Sequence, residues 1–256
     1  MTSALGKLLR VPYGLYVWAL FLLLSLTTLI LVLVVPPLTV RRAIARRIAG
    51  LFLLLAGMPV RVLGAHRLPD HPCVVVANHS SYLDGVILKA ALPAHFSFVI
   101  KKEMVRVPLA GALLRRIGSE FVDRFNRHSG GMDARRIIRT ASAGQSLAFF
   151  PEGTFTEQRG LARFHIGAFI IAVRASMPVV PIAIRGARRA LPASSIWPHP
   201  GRIEVEVLSA LPLETSPDSS EAAARFRDAA RDQILAAVDE PDLDQARPTP
   251  SPSRPD

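Results

Sequence analysis

The chain has 256 residues, half of them hydrophobic, with one cysteine and a formal net charge of +11. That length suits one globular domain with an appendage, or at most two small domains, and a single cysteine excludes an internal disulfide and a multi-cysteine metal site while suiting a reducing compartment. The charge would suit nucleic acid or an anionic membrane, but no zinc pattern or basic-aromatic RNA-binding signature is present and aromatics are only 7% of the chain, so nucleic acid is not an expected partner.

From Met1 to Pro69 there is no Asp or Glu, while Lys7, Arg10, Arg41, Arg42, Arg46, Arg47, Arg61 and Arg67 are basic. This is also the greasiest part of the sequence, and basic plus greasy points to a lipid interface. No charge occurs from Val11 to Val40, and Leu15 to Val35 is dense in Leu, Val and Ile, with Tyr13, Tyr16 and Trp18 at its leading edge. About 20 apolar residues in a helix suffice to span a bilayer, and aromatics at one end suit the headgroup level. Pro36-Pro37 breaks the helix, and the residues after it offer no small-x-small cleavage site. Residues 1–59 are therefore expected to form a membrane-associating helical segment. Both flanks are positive, which fits a spanning helix or a hairpin that dips in and returns; the stronger C-terminal flank predicts that the body lies on the cytoplasmic face of the cell (inner) membrane. Within 41–58, Ile44, Ile48, Leu51, Phe52 and Leu55 recur at helical spacing with arginines between, the pattern of an interfacial helix.

From Val60 short apolar runs alternate with helical patterns. Strands are expected at 59–63, 73–77, 96–100, 146–150, 179–184 and 202–207, and helices at 83–91, 108–117, 131–143, 161–175 and 221–238. Such alternation predicts an α/β fold: a single layered domain, 60–239, with a mostly parallel central sheet flanked by helices. In the last strand Ile203, Val205 and Val207 alternate with Glu204 and Glu206, giving one wet face. Pro181 inside a strand-like run predicts an edge or a bulge. From Glu240 onward the composition turns to Pro, Asp, Ser and Arg, and a disordered Pro-rich tail is expected over 240–256.

The chemistry concentrates where apolar runs stop. Val74-Val-Val-Ala-Asn-His-Ser-Ser-Tyr-Leu-Asp84 leaves a buried strand at Asn78 and presents His79 and Asp84. On one continuous helix five residues turn through about 500°, leaving the two side chains about 140° apart. They meet only if His79 lies on the turn and the helix begins near Ser80 or Ser81, both good N-caps, with Asp84 in the first turn where its charge suits the dipole. A carboxylate on one imidazole nitrogen fixes the tautomer and raises the basicity of the other; the plainer reading is a turn cap and a helix cap. Phe149-Phe-Pro-Glu-Gly-Thr154 likewise ends an apolar run, in Glu152 and a glycine that permits close backbone approach. In Gly118-Ser-Glu-Phe-Val-Asp-Arg124 the last pair suits either a surface ion pair or presentation of a guanidinium to a phosphate.

Taken in this order, the blocks resemble the glycerolipid acyltransferase family, the group that includes the 1-acylglycerol-3-phosphate acyltransferases. Asn78 to Asp84 is similar to its first motif, His-x4-Asp; Gly118 to Arg124 to its second, Phe150 to Thr154 to its third, and Val180-Pro-Ile182 to its fourth. Lys101-Lys-Glu103 with Pro108 and Gly111 resembles the segment between the first two, and the resemblance runs from about Val60 to Leu211. It implies an enzyme of phospholipid biosynthesis that moves a fatty acyl group from acyl-CoA or acyl-carrier protein to the free hydroxyl of a lysolipid, with 1-acylglycerol-3-phosphate the default acceptor and phosphatidate the product. It implies His79 as general base, Asp84 as the group that orients and stabilises the imidazolium, and backbone N–H groups near the first helix as oxyanion donors. Lys101, Lys102, Arg124, Glu152, Gly153 and Thr154 are implied at the acceptor site, Arg124 on the phosphate. No metal or cofactor is implied; the partners are the acyl donor, the lysolipid and membrane lipids. The third motif of the family often continues Gly-Thr-Arg-Ser, and here it reads Gly153-Thr-Phe-Thr156. Either Arg159, Arg163 or His165 substitutes for that arginine, or the acceptor carries another head group, as in a lysophospholipid or an amino-acid-derived lysolipid. The same chain could instead be a catalytically silent lipid-binding protein or a hydrolase. Intact His79 and Asp84 weigh against the first, and the absence of a Gly-x-Ser-x-Gly elbow weighs against a serine hydrolase.

Overall fold

The structure is a computed structural model that describes residues 4–123, 127–212 and 219–244, without the side chains of 4–9 and 127–130. Seven strands form one sheet: β1 (Val60–Leu63), β2 (Val74–Ala77), β3 (Ser97–Lys101), β4 (Glu120–Val122), β5 (Leu147–Phe149), β6 (Val179–Arg185) and β7 (Ile203–Val207), in the spatial order β1-β7-β6-β2-β5-β3-β4. Every ladder is parallel except β6–β7. The expected mixed α/β layering with a mostly parallel sheet is what is found. β4 was not expected; its three residues are too few for a period-2 signal to stand out.

β2 lies at the centre, between β6 and β5. Val75 and Ala77 face a layer built by α1 (Ala4–Val34), α2 (Leu38–Leu55) and α3 (Asp84–Ala91). Val74 and Val76 face a layer built by α5 (Arg127–Ser142), α6 (Gly167–Arg174) and α8 (Ser219–Ala237). A strand covered on both faces reads as an unbroken apolar run. α4 (Ala110–Arg116) packs on the far ends of α1 and α2, and the short α7 (Ala187–Ala190) follows β6. The helix expected at 161–175 starts only at Gly167, because 161–166 is held extended by backbone bonds to Pro151 and Pro241.

Pro181 is not on an edge, since β6 is interior. A bulge accommodates it: Ile182 pairs with Val207, yet Val179 pairs with Leu211, so three steps along β6 face four along its partner. The missing N–H falls where the ladder has opened. In β7 the wet face is real, with Glu204 and Glu206 both ion-paired to Arg185 of β6.

The break at Pro36-Pro37 turns α1 back on α2, so that Tyr13 and Tyr16 donate to Ala56 O and Leu55 O at 2.7 and 3.1 Å. α1 contains the one helix stretch among the described residues, Arg10–Val34, that is long and apolar enough to cross a membrane. It is bonded to the body at its middle and at its C-terminal end: Trp18 Nε1 donates to Ile196 O at 2.8 Å, and Arg116 of α4 donates to Val32 O and Leu33 O at 3.2 and 2.8 Å. The helix therefore lies along the domain rather than projecting from it. Its outer face is bare hydrocarbon, including Leu15, Leu22, Leu23, Ile30 and Val34.

α2 buries Arg42, Ala45, Phe52 and Leu53, whereas Leu51 and Leu55 of the apolar stripe point outward, the side that an interfacial helix turns to lipid. One expectation for this region is corrected. Arg42, expected in the basic flank, is turned inward, donating to Ile117 O, His95 O, Gly118 O and Gln145 Oε1. The expected tail is also ordered over its first residues. Leu161 N donates to Pro241 O at 2.9 Å, and Asp242 pairs with Arg231. Residues 245–256 lie outside the described residues.

Candidate active site

β2 and β5 are neighbours in parallel register, Val76 opposite Phe149. The loops carrying the first and third motifs thus leave one edge of the sheet side by side, the usual place for a site in an open α/β sheet. Asn78 ends β2 by pairing through its side chain: Oδ1 accepts from Ile184 N at 2.7 Å and Nδ2 donates to Ile184 O at 3.0 Å. The amide thus stands in for one more ladder residue and frees the backbone to turn.

His79 sits on that turn. α3 begins at Asp84 itself, later than the expected start near Ser80 or Ser81. Asp84 is wholly buried, and its Oδ2 accepts from Ser80 N at 2.5 Å, Ser81 N at 2.7 Å and His79 Nδ1 at 2.9 Å. The two serines are not caps; the carboxylate gathers their N–H groups and bends 79–83 so that histidine and aspartate meet. A carboxylate can only accept, so Nδ1 carries the proton and Nε2 keeps its lone pair. Ser81 Oγ instead donates to Leu191 O at 2.7 Å and accepts from Leu83 N.

Glu152, expected at the acceptor site, has both oxygens committed: Oε1 to His79 N at 2.6 Å and Oε2 to Ala162 N at 2.9 Å. It is buried and braces the histidine backbone. With Ser80 and Ser81 on Asp84 and His79 on Glu152, three N–H groups just before the helix expected to supply oxyanion donors are already taken. Burial pushes the Glu152 carboxyl up to about 7, against the two N–H donors that favour its charged form. A carboxyl raised on folding adds stability below about pH 4.5 that is lost as pH rises toward 7. We expect Glu152→Gln to remove that slope, on the order of 3 kcal/mol across the window, and to lower stability at acidic pH because its NH2 faces an N–H donor. Melting curves of both proteins from about pH 4.5 to 7.5 test this; parallel curves would count against it.

Gly153 follows with φ +81, a conformation that favours glycine, and Thr154 is exposed. Lys101 and Lys102, both exposed, sit at the end of β3, at the same sheet edge but roughly 10 Å from β2 by strand spacing. Lys102 Nζ is 3.7 Å from Asp123 Oδ2. Arg124 lies outside the described residues.

The sequence reading missed the aromatic enclosure of His79. Phe150 stacks on the imidazole at 4.5 Å, Phe155 meets it edge-on at 4.6 Å, and Tyr82 meets Phe155 at 4.7 Å. The signal was Phe155 itself: where an arginine is usual, an aromatic covers the histidine. Of the suggested substitutes, Arg159 is paired with Asp239, while Arg163 and His165 lie on the loop after Glu152, both exposed. Beyond Tyr82 opens a cleft of about 360 Å³. A second cleft of about 320 Å³, beside Arg46, Asp70 and His95, involves none of these groups.

The ordered 239–244 segment straps the same loop. Glu240 accepts from Gly160 N at 3.2 Å and pairs with Arg188 at 2.9 Å, and Arg188 in turn holds Thr156 O at 3.1 Å. Because Ala162 of that loop completes the Glu152 brace, Glu240→Ala should cost roughly 2 kcal/mol of stability and lower turnover. Denaturant melts with a parallel assay check it; a variant as stable and active as the parent would show that the strap is idle.

An imidazole–carboxylate pair at the strand ends, with no hydroxyl or thiol bonded to Nε2 among the described residues, has the chemistry to take a proton from a group that is not its own. A sequence profile described as Acyltransferase matches residues 59–185. A 1-acyl-sn-glycerol-3-phosphate acyltransferase of Chlamydomonas reinhardtii is 30% identical, over 84% of this chain and 66% of its own length. A lysophospholipid acyltransferase of Mus musculus is 36% identical, over 62% of this chain and 30% of its own length. The chain thus spans between about a third and two thirds of these curated relatives. The crystal structure of a 1-acyl-sn-glycerophosphate acyltransferase from Thermotoga maritima superposes with a TM-score of 0.73 at 20% identity, covering 95% of this chain and 99% of that one, which shows a shared fold. The chain belongs to the glycerolipid acyltransferase family.

Proposed function

We propose that the chain is a membrane-associated acyltransferase that esterifies the free hydroxyl of a lysolipid, with 1-acylglycerol-3-phosphate as its acceptor and phosphatidate as its product. The observation that carries this reading is the 2.9 Å bond between His79 Nδ1 and a wholly buried Asp84 within the His-x4-Asp motif. In the proposed reaction His79 Nε2 takes the proton of the acceptor hydroxyl while its oxygen attacks the thioester carbonyl of acyl-CoA or acyl-carrier protein. Asp84 holds Nδ1–H and balances the imidazolium. As the tetrahedral intermediate collapses the C–S bond breaks, and the departing thiolate takes the proton back from Nε2. Lys101, Lys102 and Arg124 are the proposed phosphate contacts, with Gly153 and Thr154 beside the acceptor. The outer apolar face of α1 and the acid-free first 69 residues support a bilayer contact, proposed on the cytoplasmic face. Labelled acyl donor presented with a panel of lysolipids, with products weighed by mass spectrometry, tests the reading. Phosphatidate should form fastest; no acylation of any lysolipid by either donor would overturn it.

A second reading has its own observation. Phe155 packs on His79 and Tyr82 at the place where the third motif of the family often has arginine, and one relative is named a lysophospholipid acyltransferase. Faster acylation of a head group other than a phosphate monoester, in the same panel, would select it.

A further inference from the structure

The loop between α7 and β7, residues 191–202, is fastened at two places. On the catalytic side Leu191 O accepts from Ser81 Oγ of the first motif at 2.7 Å. On the other side the loop is tied to α1: Ser195 Oγ accepts from Arg10 at 2.8 Å and Ile196 O accepts from Trp18 Nε1 at 2.8 Å. The Trp197 ring lies so close over Gly14 that a Cβ there would come within 2.3 Å of it. Gly14 is thus a docking notch in the apolar helix.

The docked loop leaves Ile196 68% exposed next to Trp18, itself 38% exposed, on a helix face that continues through Leu15 and Leu22. Between loop and helix runs the cleft of about 360 Å³, reaching from Trp18 and Ile196 to Tyr82 and Glu157. Tyr82, 62% exposed, is one aromatic ring from His79. The cleft is lined by both apolar groups, Trp18, Leu191 and Ile196, and polar ones, Tyr82, Glu157 and Ser195, as an amphiphile with its chain in lipid and its hydroxyl at the base requires. The neighbouring charges in the first 69 residues are all basic, which suits an anionic lipid surface.

We propose that the 191–197 loop is a third lipid-contacting element, which seats Ile196 beside Trp18 in the bilayer surface so that the cleft opens directly to lipid and passes the lysolipid sideways to His79. The proposal rests on the membrane and acyltransferase reading given above. It assigns a role in substrate access to residues outside the four motifs, and it makes lysolipid departure into water unnecessary.

The chain's own cysteine makes the test clean. Cys73 is buried and its thiol is pushed up to about 12 by burial, so an introduced cysteine is the reactive one. Ile196→Cys, Leu22→Cys on α1 and Met132→Cys on α5 are each labelled with an environment-sensitive fluorophore. They are then mixed with vesicles of phosphatidylglycerol and phosphatidylethanolamine that contain brominated lipid. Labels at 22 and 196 should both be quenched, and the label at 132 should not. A quenched label at 22 with an unquenched one at 196 overturns the proposal and leaves the anchor intact; no quenching at 22 overturns the membrane reading itself. In parallel, Ile196→Asp should lower turnover of vesicle-embedded lysophosphatidate about tenfold and leave that of a short-chain, water-soluble analogue unchanged. Equal loss on both substrates would place the effect in the chemistry or the fold and overturn the access role.

Discussion

Replacing His79 with alanine is expected to lower acyl transfer by roughly a thousandfold, the usual contribution of a positioned general base. The expectation follows from geometry. Nδ1 is held by a wholly buried carboxylate at 2.9 Å, so the lone pair is on Nε2, and no protein hydroxyl among the described residues lies bonded there to compete for it. The ring also fills space between Phe150 and Phe155, so its loss should cost roughly 1–2 kcal/mol of stability as well. The anchor face of α1 is untouched, so co-sedimentation with vesicles should match the parent. Turnover by purified, vesicle-bound variant within tenfold of the parent would refute the general-base role of His79.

Asp84 separates charge from shape. All three donors converge on Oδ2, while Oδ1 is buried and accepts no hydrogen bond among the described residues. In Asp84→Asn the amide oxygen can therefore take the Oδ2 position and keep Nδ1–H, Ser80 N and Ser81 N bonded. What is lost is the negative charge that balances the imidazolium, and the NH2 is left buried without an acceptor. We expect about a hundredfold loss of kcat, with a stability cost of about 1–3 kcal/mol. Asp84→Ala removes the acceptor from two buried backbone N–H groups and from the histidine at once. It should cost about 3–5 kcal/mol and bring turnover down to that of His79→Ala. Kinetics and thermal melts of the two variants side by side decide the matter. Equal stability for Asn and Ala would mean that the carboxylate does not organise the turn.

Glu152 shows how a motif residue can be legible in kind and not in role. Its place at a strand end marked it for the site, and a carboxylate there suits a substrate contact. Only the fold shows both oxygens taken, one by His79 N across 73 residues of chain. Arg42 shows the same for the anchor: four acceptors on other segments draw it out of a basic flank.

Local pattern alone determined the α/β alternation, the buried β2, the break at Pro36-Pro37 and the wet face of β7; at His79 and Asp84 it left a paired dyad and two separate caps open, and the 2.9 Å bond shows them paired. At Pro181 it left an edge and a bulge open, and the interior position of β6 selected the bulge. Periodicity, turn chemistry and short spacing act within a few residues, so they survive in the linear chain. The tertiary structure decided which way α1 lies, that Glu152 and the 239–244 strap brace the histidine loop, and that Trp18, Tyr82 and Ile196 share one cleft. Those are meetings of distant segments, 178 residues apart for Trp18 and Ile196. They are selected by which packing buries the most surface with every polar group paired, and nothing in a local pattern records that choice.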